Sequence, residues 1–221
     1  MWRSIFNPQN GFFQAIDLIF NVAALSLLWV ALCLPLVTAG PATAALYYSL
    51  VKCIRRGEPY PFKNFFESFR LNLKQGIFSG IICLIAGEAL AHLLGVSYQM
   101  ALAGNKTAVV LLTAEGVLSL ALLGVVGLLF PVLSRFTLKL GDVFGLSFRL
   151  AATHPLATLA AGIVLAAGAF LAWLTPVSLL VVPALAGLLL SLPVERVLKG
   201  HMLRTMERPP EEEEELPWYL R

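Results

Sequence analysis

The sequence predicts an all-α fold, a polytopic membrane helix bundle, and three observations lead to this class. Of the 221 residues, 58% are hydrophobic and only 13% are charged, whereas a soluble domain carries about 25% charged residues. The mean hydropathy is +0.81. Apolar runs of about 20 residues, the length that a helix needs to cross a bilayer core, recur along the chain. These features exclude a disordered chain, a disulfide-rich secreted domain and a water-soluble Rossmann or barrel enzyme.

Five long apolar runs predict five membrane spans. They cover residues 12–37, 76–97, 108–133, 155–174 and 176–194. The first run is longer than the apolar region of a cleavable signal peptide, so we expect it to be retained as a span.

A shorter broken helix is expected directly after the first span. Pro35 should end the first helix, because a proline removes a backbone donor and disfavours helix at the residue before it. Gly40 would permit a sharp turn, and small alanines then begin a helical segment over residues 42–54. This segment would be about 20 Å long at 1.5 Å per residue. It is therefore either a short sixth span or a re-entrant helix, which neighbouring protein must bury.

Residues 61–75 have the pattern of an amphipathic helix. One face would carry Phe62, Phe65, Phe66, Phe69 and Leu73, while the other would carry Lys63, Asn64, Glu67, Arg70 and Lys74. Aromatic side chains opposite basic ones are typical of a helix that lies in a membrane interface. The same pattern also fits a cytoplasmic platform that docks a partner, in which case the candidate interface comprises Phe62, Phe65, Phe66, Phe69 and Arg70.

Basic residues concentrate in three segments, which are residues 52–75, residues 134–154 and the chain beyond residue 194. The positive-inside rule places all three in the cytoplasm. If residues 42–54 cross, the N-terminus with Arg3 is cytoplasmic; if they do not, it lies outside. We favour six crossing helices, because Arg3 then lies inside.

The basic excess belongs to the membrane domain and the acidic excess to the end of the chain. Residues 1–206, the predicted transmembrane helical domain, hold 14 basic and 7 acidic residues, whereas the last fifteen hold 2 and 6. A basic excess in loops beside anionic lipid does not imply nucleic acid. Residues 207–221, which include a run of five glutamates, are predicted to form a disordered acidic tail.

Three ionisable residues inside the predicted spans are candidates for function. Glu88 and His92 lie four residues apart, and therefore share a helix face, while Glu115 should lie at a similar depth on the next span. One interpretation is a polar pocket or proton relay. The other is a Glu–His hydrogen bond that fixes packing. We expect no metal site, because the three would supply few ligands, and the cysteines at 33, 53 and 83 suit buried apolar positions.

The tetrapeptide Ser-Phe-Arg-Leu occurs twice, at residues 68–71 and 147–150, each time just before a predicted span. Such an echo can mark a parallel repeat. A four-residue match is also common by chance, so the echo alone predicts little. No phosphate-binding loop, nucleophile elbow or His-Glu-x-x-His motif occurs in the sequence, which excludes the ATPase of a transport system.

Residues 34–48, which read Leu-Pro-Leu-Val-Thr-Ala-Gly-Pro-Ala-Thr-Ala-Ala-Leu-Tyr-Tyr, resemble the YesL family of small bacterial integral membrane proteins. The hairpin residues that carry this resemblance are Pro35, Thr38, Gly40 and Tyr47. It extends to Asn21, Trp29, residues 65–72, Phe130-Pro131, Arg135 and His154-Pro155.

The resemblance implies a multi-pass protein of the bacterial plasma membrane with no established catalytic residue or cofactor. Family members are often encoded near carbohydrate-uptake transporters and polysaccharide-degrading enzymes. Our hypothesis is therefore a non-enzymatic accessory or regulatory partner of a transporter. Its expected partners are the lipid bilayer, a sugar transporter permease and further copies of itself. The alternative is a small-solute transporter or channel in its own right, which would use Glu88, His92 and Glu115.

Overall fold

The computed structural model describes residues 11–205, and the predicted all-α class is confirmed over that range. The α-helices are α1 (Gly11–Cys33), α2 (Ala39–Ser49), α3 (Pro61–Leu71), α4 (Leu73–Leu102), α5 (Lys106–Arg135), α6 (Leu140–Thr153), α7 (Pro155–Leu174) and α8 (Val182–Thr205). A π-helical segment, Leu50–Arg55, continues α2, and a 3-10 helix, Pro176–Leu180, precedes α8. The predicted acidic tail and the N-terminus with Arg3 lie outside the described residues.

Four of the five predicted spans are helices that are long and apolar enough to cross a membrane. They are Ile16–Cys33 within α1, and the whole of α4, α5 and α7. The first ends at Cys33, two residues before Pro35, and so is shorter than the predicted 12–37. A membrane protein of helical class is therefore shown by the structure.

The predicted fifth span, 176–194, is wrong as one continuous α-helix. Pro176 opens the 3-10 helix, and α8 begins only at Val182 and continues to Thr205. Proline is tolerated in the first turn of a helix but not easily in its interior, and Pro183 occupies the first turn of α8. The two prolines therefore divide the apolar run between two helical segments.

In the turn between α1 and α2, the residue with positive φ is not the glycine that the sequence analysis expected. The left-handed residue is Leu36, with φ of 43°, and the hydroxyl of Thr38 donates to the carbonyl of Leu32 at the end of α1. Gly40 lies inside α2 and is buried. The prediction that Gly40 forms the turn was therefore wrong.

Gly40 instead allows the backbones of α2 and α4 to touch. A Cβ atom on Gly40 would lie 1.9 Å from the carbonyl oxygen of Gly76 and 3.0 Å from the Cα of Gly80. The crossing of α5 and α7 is similar, since a Cβ on Gly124 would lie 2.3 Å from the carbonyl oxygen of Thr158. Small residues that let helices approach closely are a main source of packing in membranes.

The predicted amphipathic helix 61–75 is two helices. α3 ends at Leu71, and after the single residue Asn72 the chain enters α4. α3 packs against α2 and the π-helical segment: Ser49 Oγ donates to the carbonyl oxygen of Pro61 at 2.7 Å, and Lys52 Nζ donates to Asn64 Oδ1 at 2.8 Å. One side of α3 is thereby fixed to the bundle.

The segment 134–154, which the sequence suggested was a basic loop, contains the helix α6. α6 leads into α7 after one residue, as α3 leads into α4. The repeated tetrapeptide occupies the same place in both short helices, and its serines, Ser68 and Ser147, are both buried. The order of helix, short amphipathic helix and long helix therefore occurs twice, in α2–α3–α4 and in α5–α6–α7.

Gly40→Ala should destabilise the protein, because the new methyl group meets backbone atoms that cannot move aside independently. Overpacking of this kind costs about 1–3 kcal/mol or more. Gly116→Ala is the matched control, since a Cβ there meets nothing within 4 Å. The measurement is the free energy of unfolding in mixed detergent micelles; equal values for the two variants would contradict the close crossing.

Candidate functional site

A buried polar site is built around the carboxylate of Glu195 on α8. Tyr47 Oη of α2 and Arg135 Nη2 at the end of α5 each donate to Glu195 Oε1 at 2.8 Å. Arg56 Nη2, just after the π-helical segment, donates to Oε2 at 3.4 Å. We call Tyr47, Arg56, Arg135 and Glu195 the Glu195 cluster. It joins three parts of the chain that are far apart in sequence.

The Glu195 cluster is buried and carries an excess of positive charge. The side chains of Arg135 and Glu195 are 2% and 7% exposed, and that of Arg56 is 17% exposed. Burial lowers the pKa of the Arg56 guanidinium, and the nearby Glu195 carboxylate opposes this effect. Because arginine stays protonated in proteins, two cations surround one anion. Both carboxylate oxygens are bound by donors of the same chain, which is the arrangement of a clamp between helices.

The π-helical segment Leu50–Arg55 brings a further arginine to α8. Arg55 Nη1 donates to the carbonyl oxygen of Ser191 at 2.7 Å and to its Oγ at 3.0 Å. A π-helical turn is wider than an α-helical one and is found often at functional sites. The consecutive residues Arg55 and Arg56 thus both bind α8. Their partners, Ser191 and Glu195, lie one turn apart on that helix.

Tyr47 also lies on the wall of an apolar cavity of about 360 Å³ between α1, α2, α5, α7 and α8. In the wall of this cavity, the indole Nε1 of Trp29 donates a hydrogen bond to Thr43 Oγ1 at 3.1 Å. A second cavity, of about 590 Å³, lies between α4 and α5 and reaches Phe144 and Phe148 of α6. Apolar walls suit hydrocarbon, whereas a polar solute would lose its hydration there without compensation.

A smaller cavity of about 200 Å³ has mixed polar and apolar walls and borders Arg135. It lies between α2, α3 and α5, and its walls include Tyr48, Ser68, Asn72 and Ser134. Two members of the Glu195 cluster therefore line cavities: Tyr47 an apolar one and Arg135 a partly polar one.

The structure does not join the three ionisable residues that the sequence analysis selected. Glu88 and His92 are exposed on the surface of α4. Glu115 is half-buried, and its Oε1 accepts a hydrogen bond from Ser97 Oγ at 2.9 Å. Glu115 thus lies beside α4, as expected, but its partner there is a serine. The polar pocket stays a prediction.

The candidate interface residues of α3 divide into two sets. Phe65 is fully buried in a core with α1 and α2, and Phe69 packs against that core. Phe62 and Phe66 are 37% and 43% exposed, and Arg70 is exposed beside them. Of the predicted aromatic surface, only Phe62 and Phe66 are therefore available to a partner or to lipid.

Sequence reasoning missed Glu195, the residue on which the cluster depends. It appeared to follow the last span, among the basic residues of the cytoplasmic side. A signal was present, since Glu195 is the single acidic residue between residues 143 and 206. Among the described residues, no group of three or more His, Cys, Asp or Glu side chains is placed to hold a metal ion.

Two comparisons identify similar proteins. The model of a family described as "Protein of unknown function, DUF624" matches residues 22–92, which extend from α1 into α4. The uncharacterized protein YesL of Bacillus subtilis (strain 168) is 30% identical over 169 residues, which are 75% of this chain and 76% of that protein. No solved structure matches the chain.

Glu195→Gln should lower the free energy of unfolding by about 3–5 kcal/mol, because it leaves the guanidinium groups of Arg56 and Arg135 buried without their counter-charge. Glu67→Gln is the control, since Glu67 is exposed on α3 and should change stability by less than about 1 kcal/mol. Equilibrium unfolding in mixed micelles measures both. A loss as small as that of the control would show that the clamp contributes little.

Proposed function

Because the chain belongs to the YesL family, we propose that it is a non-enzymatic accessory or regulatory partner of a transporter, and that the transporter takes up carbohydrate. In this proposal the protein lies in the bacterial plasma membrane, with the arginine-rich end of the bundle in the cytoplasm. The positive-inside rule supports that orientation.

The observation that carries the proposal is the exposed surface of α3. Phe62 and Phe66 are exposed side by side, and Lys63 and Arg70 flank them on the same short helix. Aromatic residues and arginine are enriched at the energetic centres of protein interfaces. A partner with an apolar groove and acidic residues at its rim would complement this surface.

α3 is held firmly enough to act as a platform. Asn64, which is buried, accepts from Lys52 and donates to the carbonyl oxygens of Pro59 and Tyr60 at 3.0 Å each. Phe65, its neighbour, is fully buried. A surface that is already rigid loses little conformational entropy on binding, which favours docking.

The cavities support a partner of a transporter over a sugar carrier. A sugar has many hydroxyl groups, each of which needs a hydrogen-bond partner once it leaves water. The two larger cavities are lined almost entirely by apolar side chains. The link to carbohydrate uptake rests on the genomic context that the family resemblance implies.

The test is purification of the full-length chain from native membranes in mild detergent. We expect a transporter permease to co-purify in a fixed ratio. Phe62→Ala with Phe66→Ala should weaken binding of the permease at least about thirtyfold and lower its recovery accordingly, because truncation of two central aromatic residues costs at least about 1 kcal/mol each. Uptake of a labelled sugar by cells should fall in parallel.

The matched control is Phe78→Ala with Phe170→Ala, which removes two aromatic side chains that are exposed on α4 and α7. This pair should leave permease recovery and uptake unchanged. If α3 only rested on lipid, both pairs of variants would recover the same amount of permease, and the proposal would fail.

A specific observation favours the alternative of a transporter or channel in its own right. Glu115 Oε2 is buried without a hydrogen-bond partner among the described residues. Purified chain in liposomes distinguishes the two functions: our proposal expects no solute flux above that of empty liposomes. Flux that disappears with Glu115→Gln would instead support the transporter.

A further inference from the structure

One face of α4 is left uncovered by the part of the chain that the structure describes, residues 11–205. Only 11% of the apolar segment of α4 is buried within the protein, against 44% of that of α5. The exposed face repeats with the heptad spacing of a coiled coil, in which residues seven apart lie on the same side. Its members, all exposed, are Ile81, Leu84, Ile85, Glu88, Ala91, His92, Gly95 and Gln99.

This face carries polar groups, of which Glu88 and His92 lie in the middle of the membrane-spanning helix α4. Glu88, His92 and Gln99 lie on it at spacings of four and seven residues. Ionisable side chains within a span are costly when lipid surrounds them, and almost always face protein or a water-filled cavity. None of the three forms a side-chain hydrogen bond with the described part of its own chain.

The same face allows another helix to approach closely. A Cβ atom on Gly95 would meet nothing within 4 Å, and Ala91 lies four residues before it. Small residues at this spacing are characteristic of helix pairs in membranes. Close approach would bring the polar groups beside them within hydrogen-bonding reach of a facing helix.

We propose that a second copy of this chain covers the face and that the protein is a dimer through α4. Copies inserted in the same orientation are related by a two-fold axis along the bilayer normal, so each α4 meets the same face of its partner. The face is complementary to itself: Glu88 of each copy accepts from the partner's His92. The two Gln99 amides, which both donate and accept, pair across the axis. The face contains no residue of α3, so the proposed contact does not include Phe62 and Phe66.

The test measures dimerisation of donor- and acceptor-labelled full-length chain by energy transfer in liposomes, over a range of protein-to-lipid ratios. Gly95→Leu should weaken dimerisation at least about tenfold, since the larger side chain separates the helices. Gly116→Leu on α5 is the matched control, because that glycine is also open, with nothing within 4 Å of its Cβ. It should leave dimerisation unchanged.

An exchange of charges tests the pairing itself. Glu88→His alone would face imidazole with imidazole, and His92→Glu alone would face carboxylate with carboxylate. Each should weaken dimerisation about tenfold. The double variant restores one carboxylate opposite one imidazole and should recover the dimer, which a purely structural defect in the monomer would not do.

Oxidative cross-linking in native membranes tests whether Gln99 lies at the two-fold axis of the dimer. Gln99→Cys should form a disulfide-linked dimer, whereas Val110→Cys, an exposed position on α5, should not exceed the background from Cys33, Cys53 and Cys83. The proposal is overturned if the chain is monomeric at every density. It is equally overturned if Gly95→Leu leaves dimerisation intact, or if both added cysteines cross-link alike.

Discussion

One carboxylate, that of Glu195, holds together helices that enter the bundle far apart in sequence. Two guanidinium groups and a phenol bind it, and all four side chains are largely withdrawn from water. A charge in such a place is tolerated only when its partners are present and well aligned. The positions of α2, α5 and α8 relative to each other are therefore fixed by hydrogen bonds and an ion pair as well as by apolar packing. Tyr47 of the cluster also lines the apolar cavity.

The two arginines of the Glu195 cluster come from the two repeated series of helices. Arg56 follows the first helix of α2–α3–α4, and Arg135 ends the first helix of α5–α6–α7. Each series is also tied internally by a glycine crossing, between α2 and α4 in one and between α5 and α7 in the other. α8 belongs to neither series and provides the carboxylate that both bind. The chain thus contains two similar series of three helices, and Glu195 of α8 binds an arginine from each.

Much of the fold could be predicted from the sequence, because lipid imposes a simple rule on spans. Long apolar runs locate α1, α4, α5 and α7. The rule failed at 176–194, where prolines divide an apolar run, and at α6, whose 14 residues are too few to cross a membrane. The site was harder to predict, because spacing places Glu88 and His92 on one face of a helix but does not show where that face points. Glu195 was missed because no local pattern shows which distant arginines will reach it.

The π-helical segment before Arg56 has a consequence for how the protein can change. Such a segment is in effect an α-helix with one residue inserted, and each residue of an α-helix turns the chain by about 100°. Deletion of a single residue between Leu50 and Arg55 would restore α-helical geometry and rotate the following arginines away from α8. Related chains that lack this extra residue would have to recruit another cation or lose the carboxylate. The length of this one turn is therefore an evolutionary marker for the presence of the clamp, and it can be followed separately from the identity of its residues.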